Sequence, residues 1–135
     1  MRNVMRLSVA TVFLFLFSCT KEKTVDQELK EAAAGMNKLT PQMLNDMIRL
    51  DSVSTEPDKI LKYNYTLMED ERENVSEEDI NAFKNEAKQE ALNAVKTSAD
   101  MQQFKEDDVT LKYVYYDKNG KLTADFSITP SEYKK

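Results

Sequence analysis

Histidine and tryptophan are absent from the 135 residues, and there is one cysteine, Cys19. Without an imidazole there is no histidine general base, which excludes Ser-His-Asp and Cys-His mechanisms. A lone thiol and no histidine exclude a zinc site of the His or multi-Cys kind and any intramolecular disulfide. Lys and Arg number 19 against 24 Asp and Glu, for a formal net charge of −5, so the basic stripe of a nucleic-acid binder is missing. Glycine occurs only at Gly35 and Gly120 and proline only at Pro41, Pro57 and Pro130. All five fall where the hydrophobic pattern breaks. The length suits one domain and not two.

What is present begins with Arg2 and Arg6, followed by the uncharged apolar run Leu7 to Phe17. As a helix that run covers roughly 16 Å of a hydrocarbon core about 30 Å thick. It is too short to span and has the size of a signal-peptide h-region. It ends in Leu16-Phe17-Ser18-Cys19 and passes at once into polar Thr20-Lys21-Glu22-Lys23. The tetrapeptide resembles the lipobox of bacterial lipoproteins, although Phe17 departs from the small or β-branched residue common at its place. The resemblance implies cleavage before Cys19, a diacylglycerol thioether on Cys19 and an acyl chain on the new amino terminus, with no other cofactor. Each buried CH₂ adds ~0.8 kcal/mol, so two or three chains anchor firmly. Thr20, following the cysteine where an Asp would retain a lipoprotein in the inner membrane, implies the outer membrane, with the body facing the periplasm. The expected division is 1–18 signal peptide, 19–24 tether and 25–135 a single small domain. Losing Arg2 and Arg6 leaves that body more acidic still, and anionic lipid repels it.

The rest reads as α+β. Val25 to Lys38 is rich in helix formers, with a thin apolar stripe of Val25, Leu29, Ala32 or Ala33, and Met36. Thr40-Pro41 breaks the chain or restarts it as a short helix, and helix and strand signals conflict from Leu39 to Ile48. Met47 to Ser54 alternates loosely as a strand, Thr55 to Asp58 is a turn, and Lys59 to Met68 alternates well. Ser76 is an N-cap with Asp79 three residues on, and Val75 and Ile80 fit a hydrophobic staple. That helix is expected to run to about Lys96. Ile80, Phe83, Ala87, Ala91 and Ala94 lie on one face, and the small residues would let it lie close against a sheet. Ser98 caps a second short helix with Met101 and Phe104. Val109 to Tyr115 and Leu122 to Ile128 alternate around Asn119-Gly120, the pair a two-residue hairpin turn prefers. The expected architecture is a four-stranded antiparallel sheet of two hairpins with helices on one face, in the order α-ββ-αα-ββ.

Chemistry-bearing clusters are few. Tyr63, Tyr65, Tyr113 and Tyr115 share strand parity and either fill the inner face or form an aromatic binding surface. Tyr116 and Val114, on the opposite parity, are the better candidates for an exposed partner-binding patch. The acidic run from Glu69 to Asp79 lacks the glycine and ligand spacing of a calcium loop and reads as a solvated loop and helix start. Asp51, Asp117 and Asp125 lie on or beside strands, with nothing to bring two together, and read as exposed. No metal site and no catalytic residue is expected.

Arg49-Leu50-Asp51-Ser52-Val53, Tyr63-Asn64-Tyr65-Thr66-Leu67 and Asp117-Lys118-Asn119-Gly120-Lys121 together resemble a group of small exported bacterial proteins of unknown function. The resemblance covers roughly Leu39 to Pro130 and implies fold and export without an active site. Many members carry two cysteines near positions corresponding to Lys96 and Tyr133. This chain has neither, which implies a looser C-terminal tail. The functional expectation is a non-catalytic, lipid-anchored accessory or assembly factor that binds another envelope protein through an exposed sheet edge or a groove between the short helix and the sheet. The alternative is a periplasmic inhibitor, immunity-type or small-ligand-binding module.

Overall fold

Thr24 opens the first helix with a reciprocal cap: its hydroxyl accepts the Gln27 N–H at 3.2 Å, and the Gln27 amide oxygen accepts the Thr24 N–H at 3.1 Å. The helix, α1, runs Val25–Asn37 and buries Leu29 and Ala33. A computed structural model describes residues 22–135. The basic start, the apolar run and Leu16 to Cys19 lie outside the described residues, as does the lipidation of Cys19. After α1 come β1 (Gln42–Met43), β2 (Ile48–Glu56), β3 (Ile60–Leu67), α2 (Glu77–Thr97), α3 (Gln102–Glu106), β4 (Thr110–Tyr116), β5 (Leu122–Ile128) and α4 (Pro130–Tyr133). Short 3₁₀ turns at Arg72–Asn74 and Ala99–Met101 lead into α2 and α3.

The architecture is α+β, but the sheet has five strands and is mixed. Its order is β1-β2-β3-β4-β5, with β3 and β4 parallel and the other pairs antiparallel. The expected hairpins are both present. What joins them decides the rest. The 21 residues of α2 span about 32 Å, against about 26 Å for the eight residues of β3. The helix therefore returns the chain to the end where β3 began, and β4 sets out beside β3 in the same direction. The fifth strand comes from the ambiguous stretch after α1. In place of the short helix considered there, Gln42 and Met43 pair with Leu50 and Arg49. The Asn45 carboxamide oxygen accepts the Met47 and Ile48 N–H groups at 2.8 and 2.9 Å and closes the turn into β2.

Two bulges account for irregular alternation. In β2 the register shifts between Leu50 and Ser52, so the bulged Asp51 lets Leu50 and Val53 face the same side although three positions separate them. In β5 the register shifts at Thr123, and Leu122 pairs with Tyr116. Leu122, expected inside, is 54% exposed for that reason. Where β1 ends, Asn37 takes over its edge-covering role. Its amide donates to the Val53 carbonyl and accepts the Val53 N–H, both at 2.7 Å.

The inner sheet face, with Val53, Leu61, Leu111, Phe126 and Ile128, joins Leu29, Ala33, Ile80 and Val95 in one core. α1 packs on β2 and β3, and α2 on β5. The opposite face carries no helix among the described residues. It is laced by ion pairs of Glu56 with Lys62 and Lys112 and of Arg49 with Asp51. The tail is not loose. Glu132 accepts the Thr129 N–H at 2.9 Å, and the buried Tyr133 donates its hydroxyl to the Val109 carbonyl at 2.7 Å.

Candidate docking groove

The tyrosines come together because β3 and β4 run parallel and in register: Tyr63 faces Tyr113, and Tyr65 faces Tyr115. The rings stack, with centroids 5.1 Å apart for Tyr63–Tyr113 and 4.8 Å for Tyr65–Tyr115. Phe126 extends the stack from Tyr113 at 4.9 Å, and Phe83 of α2 meets Tyr115 edge-on at 4.9 Å. Tyr65, Tyr113 and Tyr115 are buried and Tyr63 is half-buried. Their hydroxyls make no hydrogen bond among the described residues, yet no buried side-chain oxygen there lacks a partner. Tyr65, Tyr113 and Tyr115 line an open cavity. Burial pushes the Tyr63 and Tyr115 phenols up to about 12, with Glu90 adding to the effect at Tyr115. Tyr65 and Tyr113 are raised further, by burial first and by neighbouring phenols second. At neutral pH all four are uncharged and can donate and accept.

The helices leave a gap over these tyrosines. α1 lies over β2 and β3, α2 lies over β5, and the tyrosines of β3 and β4 floor the gap between them. Ala87 and Ala91 are half-buried against the core as expected, Ala94 is exposed, and all three line the gap. A cavity of about 560 Å³ lies between these alanines and Tyr65, Tyr113 and Tyr115. A second, of about 280 Å³, is walled by Met47, Leu67, Val75 and Ile80. Ile48 and Phe83 belong to both. Five charged residues line the two cavities, Glu69, Asp70, Asp79, Glu86 and Glu90, and all are acidic. None forms an ion pair among the described residues, whereas Glu71, Glu73 and Glu77 nearby are paired with Lys118, Lys121 and Arg72. Leu44 and Met47 stand exposed at the mouth, 52% and 56%.

A family profile described as Domain of unknown function (DUF8479) matches residues 23–124. The chain belongs to that family. No curated protein is significantly similar in sequence. Among solved structures, the DUF8479 chain is similar to the pilotin EpsS of the Vibrio vulnificus type 2 secretion system. The TM-score is 0.64 at 12% identity, over 84% of this chain and 94% of that one. It is also similar to the type II secretion system pilotin AspS of Vibrio cholerae, with a TM-score of 0.57 at 11% identity, over 80% of this chain and 91% of the other. A Pseudomonas aeruginosa protein described as secreted gives 0.64 at 13% identity, over 80% and 91%. At such identities the likeness is one of fold.

The expected exposed patch on the far parity does not form. Val114, between Asn64 and Asp125 in register, is 4% exposed, and Tyr116 is half-buried. Asp117, read as exposed, is fully buried. It accepts N–H groups of Arg72, Asn119 and Lys121, each at 2.8 Å, and so ties the β4–β5 turn to the start of the α2 connection. Its place ahead of Asn119-Gly120 was the available signal, because Asp commonly bonds turn backbone. Leu44, Met47, Glu86 and Glu90 were missed. They belong to a loop and a helix flank whose approach to the tyrosines depends on the parallel crossover. Among the described residues no group of three Asp, Glu, His or Cys could hold a metal ion, and no helix is long and apolar enough to cross a membrane.

Proposed function

We propose that this DUF8479 protein is a lipid-anchored envelope protein that works, without catalysis, as a protein-binding accessory or assembly factor at the outer membrane, facing the periplasm. Anchoring is through diacylglycerol and an N-acyl chain on Cys19, its only non-protein groups. The observation that carries the reading is an open groove, apolar in its depth and acidic at its rim, in a fold shared with two type II secretion pilotins. The short apolar run ending at Leu16-Phe17-Ser18-Cys19 supports the anchor. Two adjoining cavities, one lined by half-exposed Met47 and the other by half-exposed Leu44, alanines and tyrosines, suit a polypeptide surface, since aromatic residues and methionine are enriched where proteins meet.

The test is metabolic labelling with a palmitate analogue. Wild-type protein takes the label and sediments with membranes, whereas Cys19→Ala does neither. Crosslinking the labelled protein in intact cells yields a discrete adduct with one envelope protein. An unlabelled wild type with an intact initiator methionine would overturn the anchor. A labelled protein that forms no adduct with another protein would overturn the accessory role.

A further inference from the structure

We infer that the groove takes a basic amphipathic segment of the partner: apolar side chains fill the cavity beside Ile80 and Phe83, and Lys or Arg side chains lie over the tyrosine hydroxyls between Glu86 and Glu90. This rests on the protein-binding reading above and adds the chemistry of what is bound.

The two cavities ask for different groups. The one walled by Met47, Leu67, Val75 and Ile80 is mainly apolar, although Glu69, Asp70, Asp79 and Thr123 also line it, so burial there rewards apolar area. The one floored by Tyr65, Tyr113 and Tyr115 offers uncharged phenol oxygens with no partner among the described residues. Each can accept an N–H from an ammonium or guanidinium group. Glu86 and Glu90 stand one helical turn apart on the α2 side of that floor, and Ala87, Ala91 and Ala94 leave room for a long side chain. Five carboxylates without a basic partner among the described residues favour a cation and repel an anion. An acidic peptide or an anionic headgroup meets that repulsion. A fatty chain would leave the phenols and carboxylates unused. Because the cavities share Ile48 and Phe83, one segment carrying both kinds of side chain within about a helical turn can reach both.

The experiment places a photo-crosslinking amino acid at Ala91 in the full chain, expressed in its native cells, with a second placement at Ser127 on the helix-free face. Crosslinked peptides are sequenced by mass spectrometry. The Ala91 adduct is expected to map to a stretch of another envelope protein with Lys or Arg within four residues of two apolar residues. Combining Glu86→Gln with Glu90→Gln is expected to lower the adduct about tenfold while leaving the melting temperature unchanged. The inference is overturned by an adduct with an acidic stretch, with lipid or with residues 1–21 of the same chain, or by an unchanged yield in the double variant. Adducts at Ser127 alone would refute the groove and leave the accessory role standing. No protein adduct at either position would remove both.

Discussion

A carboxylate taken out of water needs replacements for its lost hydration, and Asp117 finds them in three backbone N–H groups from two separate loops. The Arg72 N–H contributes most to holding its pKa below the ordinary 3.8, and Lys121 and Asn119 add to the effect against the opposing pull of burial. A carboxyl with a depressed native pKa stabilises the fold at pH values above the ordinary one. That stability is lost as pH falls through the native value. Asp117→Asn keeps the shape, but only one of its two side-chain positions can accept, and its NH₂ faces a backbone donor. The variant should melt well below wild type at pH 7, and further below it than Glu71→Gln, which removes a surface pair with Lys118. Its melting temperature should also change less than that of wild type between pH 4 and 2. Thermal melts followed by circular dichroism across that range check both outcomes.

On the scale of single elements, the tyrosine stack on β3 and β4 ties stability to alkaline pH. Unfolded tyrosines lose their protons from pH 10, and Tyr63 and Tyr115 hold theirs to about 12. Between those values the unfolded chain binds fewer protons than the folded one, so stability falls as pH rises. Urea midpoints should be level from pH 7 to 9 and drop steadily from 10 to 12, with tyrosinate absorbance appearing together with unfolding. Tyr63→Phe combined with Tyr115→Phe should lessen the drop. The same strands show what periodicity reveals. Leu61 to Leu67 and Leu111 to Tyr115 alternate without interruption and pair without a bulge, so their inward residues were readable from spacing. β2 and β5 each contain a bulge, which breaks the two-residue period and misplaced Leu122. Asn37 was not legible at all, because a side chain standing in for a neighbouring strand leaves no periodic trace. Asn37→Ala frees both polar groups of Val53 and should cost about 1–3 kcal/mol, measurable by urea unfolding.

For the molecule as a whole, local signals specify each hairpin and nothing in either specifies how the two meet. Asn119-Gly120 and the Pro57 turn select partners within a hairpin, and the meeting of β3 with β4 is a property of the crossover. The groove inherits this. Its floor comes from both hairpins, one wall from α2, and its mouth from the turn before β2, so its existence could not be read before the topology was known. The parallel pair at the centre also sets the order of opening. β3 and β4 have a strand on each side, whereas β1 is two residues long and holds only to β2. Amides of β3 and β4 should therefore exchange with solvent only through global unfolding, and those of β1 through local opening at far lower cost. Leu61→Ala provides the discriminating case. Leu61 is fully buried on β3, so the change should cost about 2–5 kcal/mol. If the sheet opens as one unit, that loss appears equally in the exchange of β3, β4 and β5 amides and leaves β1 unchanged. If the hairpins open independently across the parallel seam, protection falls in β2 and β3 while β4 and β5 keep theirs. Exchange followed residue by residue by NMR separates the two outcomes, and the second would mean that the groove floor can part along the line between Tyr63 and Tyr113.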